Sequence, residues 1–407
     1  MSARFLVTGI GVAAPSGLGV EDFWSVTRIG KNAIGPVTRF DASAYPSRLA
    51  GEIHGFEPKE HLPGRLVPQT DRVTQLALVA ADCAFADAGI EPGTIDPYAM
   101  GVVTAAGAGG FEFAENELRK LWSEGAKRVS AYQSFAWFYA VNSGQISIRN
   151  GLRGPAGVVI SDQAGGLDAL AQARRQLRKG SKLIATGGFD APICSLGWAS
   201  QPRTGGLMFH ERTEPERAYL PFEDAAAGYV PGEGGAMLIL EDEDSARDRG
   251  ARTVYGEFAG YGATLDPKPG SGREPGLRRA IDVALTDAAC HPAEVEVVFA
   301  DGAATPRLDR EEAEAITAVF GPRAVPVTVP KTMTGRINSG GAPIDVVSAV
   351  LSMREGLIPP TTNVELSDAY DLDLVAVRPR TASVRTALVL ARGRGGFNSA
   401  VVVRAVD

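Results

Sequence analysis

Apolar and polar positions alternate along the chain in two rhythms. Short, nearly continuous apolar runs rich in Val, Leu, Ile and Gly read as strands over 4–13, 98–106, 157–163, 181–188, 234–244, 253–262, 295–302, 325–331, 386–392 and 399–406. Between them, apolar residues recur at helical spacing over 74–89, 111–122, 164–180, 276–289, 310–320 and 340–356. Gly89 closes the first of these helices. Strands and helices in alternation predict an α/β protein.

The pattern also repeats. In each half a strand runs through a turn into Gly-Gly and then a helix ending in a basic residue and Gly: GVVISDQAGGLDALAQARRQLRKG (157–180) and VPVTVPKTMTGRINSGGAPIDVVSAVLSMREG (325–356). Both helices are small and apolar around most of their circumference, so both are expected to be buried. A duplicated α/β unit with two buried central helices follows. The charged stretch 241–252 is the best boundary, which divides the chain into an N-terminal half, 1–251, and a C-terminal half, 252–407.

Composition narrows the function. The 407 residues carry 41 basic and 48 acidic side chains, a net charge of −7, which argues against a nucleic-acid partner held by phosphate neutralisation. The 44% hydrophobic and 22% charged shares are those of a globular chain. The 48 glycines are spread along the chain and point to tight turns and close backbone approaches. Cys83, Cys194 and Cys290 are too few and scattered for a disulfide framework or a metal cage, and they suit a reducing cytoplasm. No run reaches the ~18 apolar residues of a membrane span. Near the N-terminus, FLVTGIGV reads as a strand, too short and broken for a secretion signal.

The segment best placed for chemistry is Val158-Val159-Ile160-Ser161-Asp162-Gln163-Ala164-Gly165-Gly166. A buried strand is expected to end there and a helix to begin at Gln163, in the positive field of free backbone N–H groups. A thiolate or alkoxide would be activated at such a turn, with a backbone N–H as oxyanion donor. A carboxamide donates and accepts hydrogen bonds but is not acylated at neutral pH. Taken alone, Gln163 also fits a plain turn that caps a helix.

Six further segments occur in order from residue 7 to residue 400: VTGIGVAAPSGLG, TDRVTQLALVAADCAFADAG, YLPFEDAAAGYVPGEGGAMLILED, ADGAATPRLDREEAEAI, KTMTGRINSGG and ARGRGGFNSA. Together they resemble the thiolase-fold β-ketoacyl synthases along the whole chain. The resemblance implies an α-β-α-β-α layered fold. It places the family's catalytic Cys at Gln163 and its two catalytic His at Asp301 and Arg336. The family's Phe-Gly-Phe-Gly-Gly loop reads Arg392-Gly393-Arg394-Gly395-Gly396. Glu312 and Lys331 are kept, and as a buried ion pair they would hold loops in place.

The only histidines are His54, His61, His210 and His291, none expected at a strand end where the halves meet. Condensation needs a thiolate to carry the acyl chain and donors to stabilise an enolate or oxyanion. This chain offers a carboxamide, a carboxylate repulsive to developing negative charge, and an arginine with no accessible neutral form to act as a base. No catalytic residue and no cofactor are expected.

Gln in place of Cys, within SDQAGGLDALAQARR, resembles the chain length factors, the β subunits of type II polyketide synthases. This implies a heterodimer with a catalytic ketosynthase α subunit, an acyl carrier protein as donor of the chain, and a product tunnel along the subunit interface. Neither nucleic acid nor membrane enters as a partner. Phe111, Ala114 and Leu118 fall on one helical face. They read either as core packing or, by the resemblance, as a tunnel wall whose modest Ala114 and Leu118 leave room for a long product. Residues 132–139 hold five of the chain's aromatics (Tyr132, Phe135, Trp137, Phe138 and Tyr139) and read either as core or as an interface. Gln163 is expected beside the two-fold interface. The basic run Arg174, Arg175, Arg178, Lys179 and Lys182 suits a helix C-terminus or an acidic carrier protein.

Three rivals remain. A dehydrogenase using NAD would use Gly9-Ile10-Gly11, but Ala14 stands at the third glycine position and Pro15 follows. A condensing enzyme with its own acyltransferase or malonyl-carrier decarboxylase activity would need another nucleophile, for which Cys194 is the candidate. Related Gln-bearing decarboxylating synthases keep both histidines, and neither remains here. The third rival is a scaffold that binds no substrate.

Overall fold

The computed structural model describes residues 4–91, 93–201, 214–268 and 270–406, so His210 lies outside the described residues. Two successive β-α-β-α-β-α-β-β runs build the molecule. The first consists of β1 (Phe5–Ala14), α1 (Arg72–Asp87), β2 (Met100–Ala105), α2 (Phe111–Glu124), β3 (Ala156–Val159), α3 (Gly165–Arg178), β4 (Leu183–Asp190) and β5 (Gly234–Asp242). The second consists of β6 (Gly256–Leu265), α4 (Leu277–Asp287), β7 (Val297–Phe299), α5 (Pro306–Phe320), β8 (Pro326–Thr328), α6 (Asn338–Glu355), β9 (Thr386–Gly393) and β10 (Phe397–Arg404). Shorter pieces, among them the helices Val20–Thr27 and Val141–Asn150, fill the connections; the apolar pattern had not marked them.

Strand order across the sheet is β3-β2-β4-β5-β1, then β6-β10-β9-β7-β8. The second half repeats the first. In each, the outer three strands are parallel and the remaining pairs antiparallel. The halves join where Leu6 and Val7 of β1 pair with Glu257 and Gly256 of β6.

Helices α3 and α6 lie between the two half-sheets, α1 covers the outside of β1 and β5, and α4 covers β6 and β10. This is the α-β-α-β-α layering. Because both sheet faces are covered, strands read as continuous apolar runs. In β5, for example, Leu238 and Leu240 enter the central core with Leu167, Leu170, Val346 and Val350. Met237 and Ile239 enter the outer core with Leu76, Ala80 and Ala84. Helix α6 is buried at every residue from Asn338 to Ser352, as expected for a helix apolar on all sides.

The outer helices approach the sheet closely in both halves by the same device. A Cβ on Gly9 or Gly11 would lie 2.4 Å from the Ala84 carbonyl oxygen or 2.0 Å from that of Ala80; on Gly260 or Gly262 it would lie 2.3 Å from Ala284 O or 2.1 Å from Ala280 O. The residue between each glycine pair donates its N–H to the matching carboxylate, Ile10 to Asp87 and Tyr261 to Asp287, both at 2.9 Å. Gly9 and Gly11 therefore serve helix–sheet packing inside β1. They do not form a phosphate loop, which removes the feature that suggested a dinucleotide site.

Two boundaries moved for physical reasons. Helix α1 begins at Arg72 rather than 74, because the Asp71 side chain caps it by accepting the Val73 N–H. The strand expected over 157–163 ends at Val159 and is not buried: Gly157, Val158 and Val159 are half-exposed and Ile160 is 50% exposed. Strand β3 is a sheet edge, with no neighbour on its outer side among the described residues.

Candidate functional site

Gln163 sits in a 3-10 turn, Asp162–Ala164, and α3 starts two residues after it at Gly165. The expectation of a helix beginning at Gln163 is corrected by that turn, which Asp162 enters at φ 55°. The N-terminus of α6 meets this turn: Gly166 must lack a Cβ because Pro343 and the Ser339 carbonyl stand 2.3 and 2.5 Å from where one would be. The two central helices thus begin at one place, and the side chains of the degenerate positions converge there.

The three positions form one buried network. In the orientation that satisfies both ends of its amide, Gln163 donates to the Asn338 carbonyl (2.9 Å) and accepts from the Arg336 Nε–H and the Asn338 N–H (3.2 Å each). Arg336 Nη2 pairs with Asp301 Oδ2 at 2.7 Å and donates to the Arg392 carbonyl at 2.9 Å; its Nη1 donates to the Asp301 carbonyl at 3.2 Å. Asp301 Oδ1 accepts the Arg392 N–H at 3.0 Å. The guanidinium also stacks over Tyr229, 5.6 Å from the ring centroid. Burial pulls the Arg336 pKa down, but the Asp301 charge and the neighbouring Tyr219 phenol more than offset it, and the group ends above the ordinary arginine value. No neutral form is available to take a proton.

A cavity of about 610 Å³ remains in front of this network. Its wall includes Asp162, Gln163, Tyr229, Arg336 and the loop Arg392–Gly396. Arg392 turns inward: its guanidinium donates to the Leu308 carbonyl (2.9 Å) and pairs with Glu311 (2.6 Å). Arg394 reaches back to Asp162, with its Nη2 3.1 Å and its own N–H 2.9 Å from the carboxylate. The sequence shows both arginines as replacements in the glycine loop but not their acidic partners, because Asp162, Asp301 and Glu311 are far from them in sequence.

Glu312 and Lys331 do not pair with each other, which corrects that expectation. Lys331 Nζ lies 2.6 Å from Asp345 Oδ2 and donates to the Ala300 carbonyl at 2.7 Å. Glu312 accepts the N–H groups of Asp301 (2.7 Å) and Gly302 (2.8 Å). The reason is geometric: the loop after β7 offers unpaired N–H groups to Glu312, and α6 brings its own carboxylate to Lys331. Sequence reasoning also missed Asp190. It is buried and takes the N–H groups of Gly107, Ala108 and Ser339 at the start of α6; burial raises its carboxyl to about 6.

Cys194 is buried, and burial pushes its thiol up to about 12, so it is not the thiolate an independent condensing enzyme would need. Among the other described histidines, His54 is exposed and His291 caps a 3-10 turn. The basic run is not one patch. Arg174 is buried, pairs with Asp287 and stacks on Phe258, and Arg178 lies over the Phe5 ring. Arg175, Lys179 and Lys182 are exposed.

Phe111, Ala114 and Leu118 are partly exposed on α2, whose one buried side chain is Glu117. The same holds for the aromatic segment, where Tyr132, Trp137 and Phe138 are 36%, 45% and 37% exposed while Phe135 and Tyr139 are half-buried. Among the described residues no helix is long and apolar enough to cross a membrane.

Comparison with known proteins agrees with the arrangement. Residues 3–246 match the β-ketoacyl synthase N-terminal domain and residues 255–365 its C-terminal domain. The actinorhodin polyketide putative β-ketoacyl synthase 2 of Streptomyces coelicolor is 57% identical over 400 residues, 98% of each chain. The tetracenomycin polyketide synthase ketoacyl synthase β subunit of Streptomyces glaucescens is 57% identical over 404 residues, 99% of this chain and 98% of that one. Among solved structures, the ishigamide ketosynthase/chain length factor superposes with a TM-score of 0.88 at 28% identity, covering 100% of both chains. A type II polyketide synthase ketosynthase, solved with its acyl-carrier protein and bound to a hexaketide, superposes with a TM-score of 0.89 at 28% identity, again over 100% of both chains. With its two matched domains, its duplicated layers and these relatives, the chain belongs to the β-ketoacyl synthase family, on the branch of the polyketide ketosynthase β subunits, or chain length factors.

Proposed function

We propose that the chain is the length-determining β subunit of the condensing enzyme of a type II polyketide synthase. It pairs with a catalytic ketosynthase α subunit, whose thiol holds the chain delivered by an acyl carrier protein, and it supplies one wall of the product tunnel. The observation that carries this reading is the Gln163–Arg336–Asp301 network. It fills the family's reactive position with groups bound to one another, leaving no nucleophile and no base.

The remaining surface suits the role. Helix α2 shows Phe111, Ala114 and Leu118 at its surface, as a tunnel wall requires. The aromatic segment 132–139 and the open edge of β3, with Gln163 just beyond it, suit contact with the α subunit. The short Ala114 and Leu118 side chains favour a product towards the long end of the family's range. Both halves, 1–251 and 252–407, contribute to the degenerate centre. Three free cysteines suit the cytoplasm.

The test is Ala114→Trp in the reconstituted heterodimer. The added bulk is expected to shorten the product, and unchanged product length refutes the tunnel role. In parallel, the isolated chain incubated with malonyl- and acyl-carrier protein is expected to keep its intact mass and to release no condensed product. Acylation of the isolated chain refutes the silent centre.

A further inference from the structure

Helix α2 is fastened to the body through three of its carboxylates. Glu112 accepts two bonds from Arg39 (2.7 and 2.6 Å), Glu115 accepts the Leu196 N–H (2.9 Å), and Glu117 accepts the Ser130 N–H (2.6 Å). The N-cap residue, Gly110, has no side chain with which to close the helix. Asp71 does so from elsewhere in the fold: its Oδ2 accepts the Phe113 N–H at 2.8 Å, while its Oδ1 accepts the Val73 N–H at 2.8 Å and caps α1. One carboxylate therefore closes the free N–H ends of two helices, and the absence of a Cβ on Gly110 admits it, since that atom would lie 2.8 Å from Asp71 Cβ.

The arrangement is costly. Burial pushes the Asp71 carboxyl up to about 7 against the pull of the two N–H groups and of Arg39. A neutral Asn or Ser would cap a single helix without a buried charge. What the second bond adds is a fixed relation between α1, which is locked to the sheet by Gly9 and Gly11, and α2, which carries Phe111, Ala114 and Leu118.

We propose that Asp71 is a positioning residue for product length: by joining the start of α2 to the start of α1 it sets how far Phe111, Ala114 and Leu118 project into the polyketide tunnel. This rests on the tunnel reading given above, and the experiment separates the two. Heterodimers carrying Asp71→Ala, Asp71→Asn, Glu112→Gln, Ala114→Trp or Asp242→Ala are assembled with the ketosynthase α subunit and carrier protein of a related type II synthase. Product lengths are measured by mass spectrometry per heterodimer recovered. Asp242 caps the surface helix Glu243–Asp248 by accepting the Ser245 N–H, so its variant loses a cap without touching α2.

Asp71→Ala is expected to raise the ratio of off-length to main product by roughly tenfold, the size of a lost charged cap. Asp71→Asn, which keeps one acceptor oxygen, falls between, and Asp242→Ala keeps the parental ratio. If Asp71→Ala does not assemble, the ratios in Asp71→Asn and Glu112→Gln decide in its place. Parental ratios in the Asp71 and Glu112 variants, alongside a shift in Ala114→Trp, overturn the positioning role and leave the tunnel reading standing. No shift in Ala114→Trp either overturns the tunnel reading, and the positioning role with it.

Discussion

The degenerate centre and the outer flank formed by α2, residues 132–139 and β3 differ in how their side chains are partnered. At the centre the charged and amide groups are partnered: Gln163, Asp301, Arg336, Arg392 and Arg394 are all bonded to one another or to Asp162, Glu311 and backbone carbonyls. At the flank, apolar side chains face outward: Trp122 is 77% exposed, Trp137 45% and Ile160 50%. An active condensing enzyme needs a centre with unsatisfied reactive groups. Here the unsatisfied groups are apolar and lie on the outside, where only another chain or an apolar ligand can cover them.

The largest expected effect comes from opening the centre. Asp301→Ala leaves the Arg336 guanidinium buried without its counter-ion, which is expected to cost about 3–5 kcal/mol, read by denaturant unfolding of the chain. The double variant Asp301→Ala with Arg336→Met removes both charges and is expected to recover most of that loss. A single variant as stable as the parent would show that the centre is not held by this pair.

Next is the flank. Ile160→Lys places a charge just past the end of the open edge strand β3. The isolated chain is expected to change by no more than about 0.5 kcal/mol, while the heterodimer weakens by roughly tenfold or more, measured by analytical ultracentrifugation. Equal destabilisation of the isolated chain would make Ile160 a core residue and end the contrast.

Gln163→Ala is smaller. It removes the hydrogen bonds to Asn338 and Arg336, expected to cost about 1 kcal/mol, with condensation by the heterodimer still measurable and its assembly loosened. Loss of all condensation in an intact heterodimer would assign the amide a chemical role. The smallest effect is none: with its thiol raised to about 12, Cys194 is expected to resist iodoacetamide at pH 8 in the folded chain, followed by peptide mass.

Much of this was legible in the order of residues. Apolar runs of two lengths predicted the alternating strands and helices, and the all-round apolar character of α6 predicted its burial. The glycine pair in β1 was visible but misleading. Gly9 and Gly11 resemble a phosphate loop until Ala80 and Ala84 of α1 are seen against them. The pairing of Lys331 was misjudged because Asp345 lies on the facing side of α6, and only the wrapping of β8 into α6 brings it within 2.6 Å.

The loss of condensing chemistry was a property of residue types alone, since no fold turns Gln163 into a thiolate or Arg336 into a base. Local periodicity likewise marked the long strands and helices, because a segment's own side chains set its period, but not the short helices Val20–Thr27 and Val141–Asn150 or the early end of β3 at Val159. Whether α2 and residues 132–139 belonged to the core or the surface was not local information. An apolar stripe looks the same whether it faces its own core or the outside, and the tertiary contacts that decide it, such as those of Glu112 with Arg39, Glu115 with Leu196 and Glu117 with Ser130, join residues far apart in the sequence.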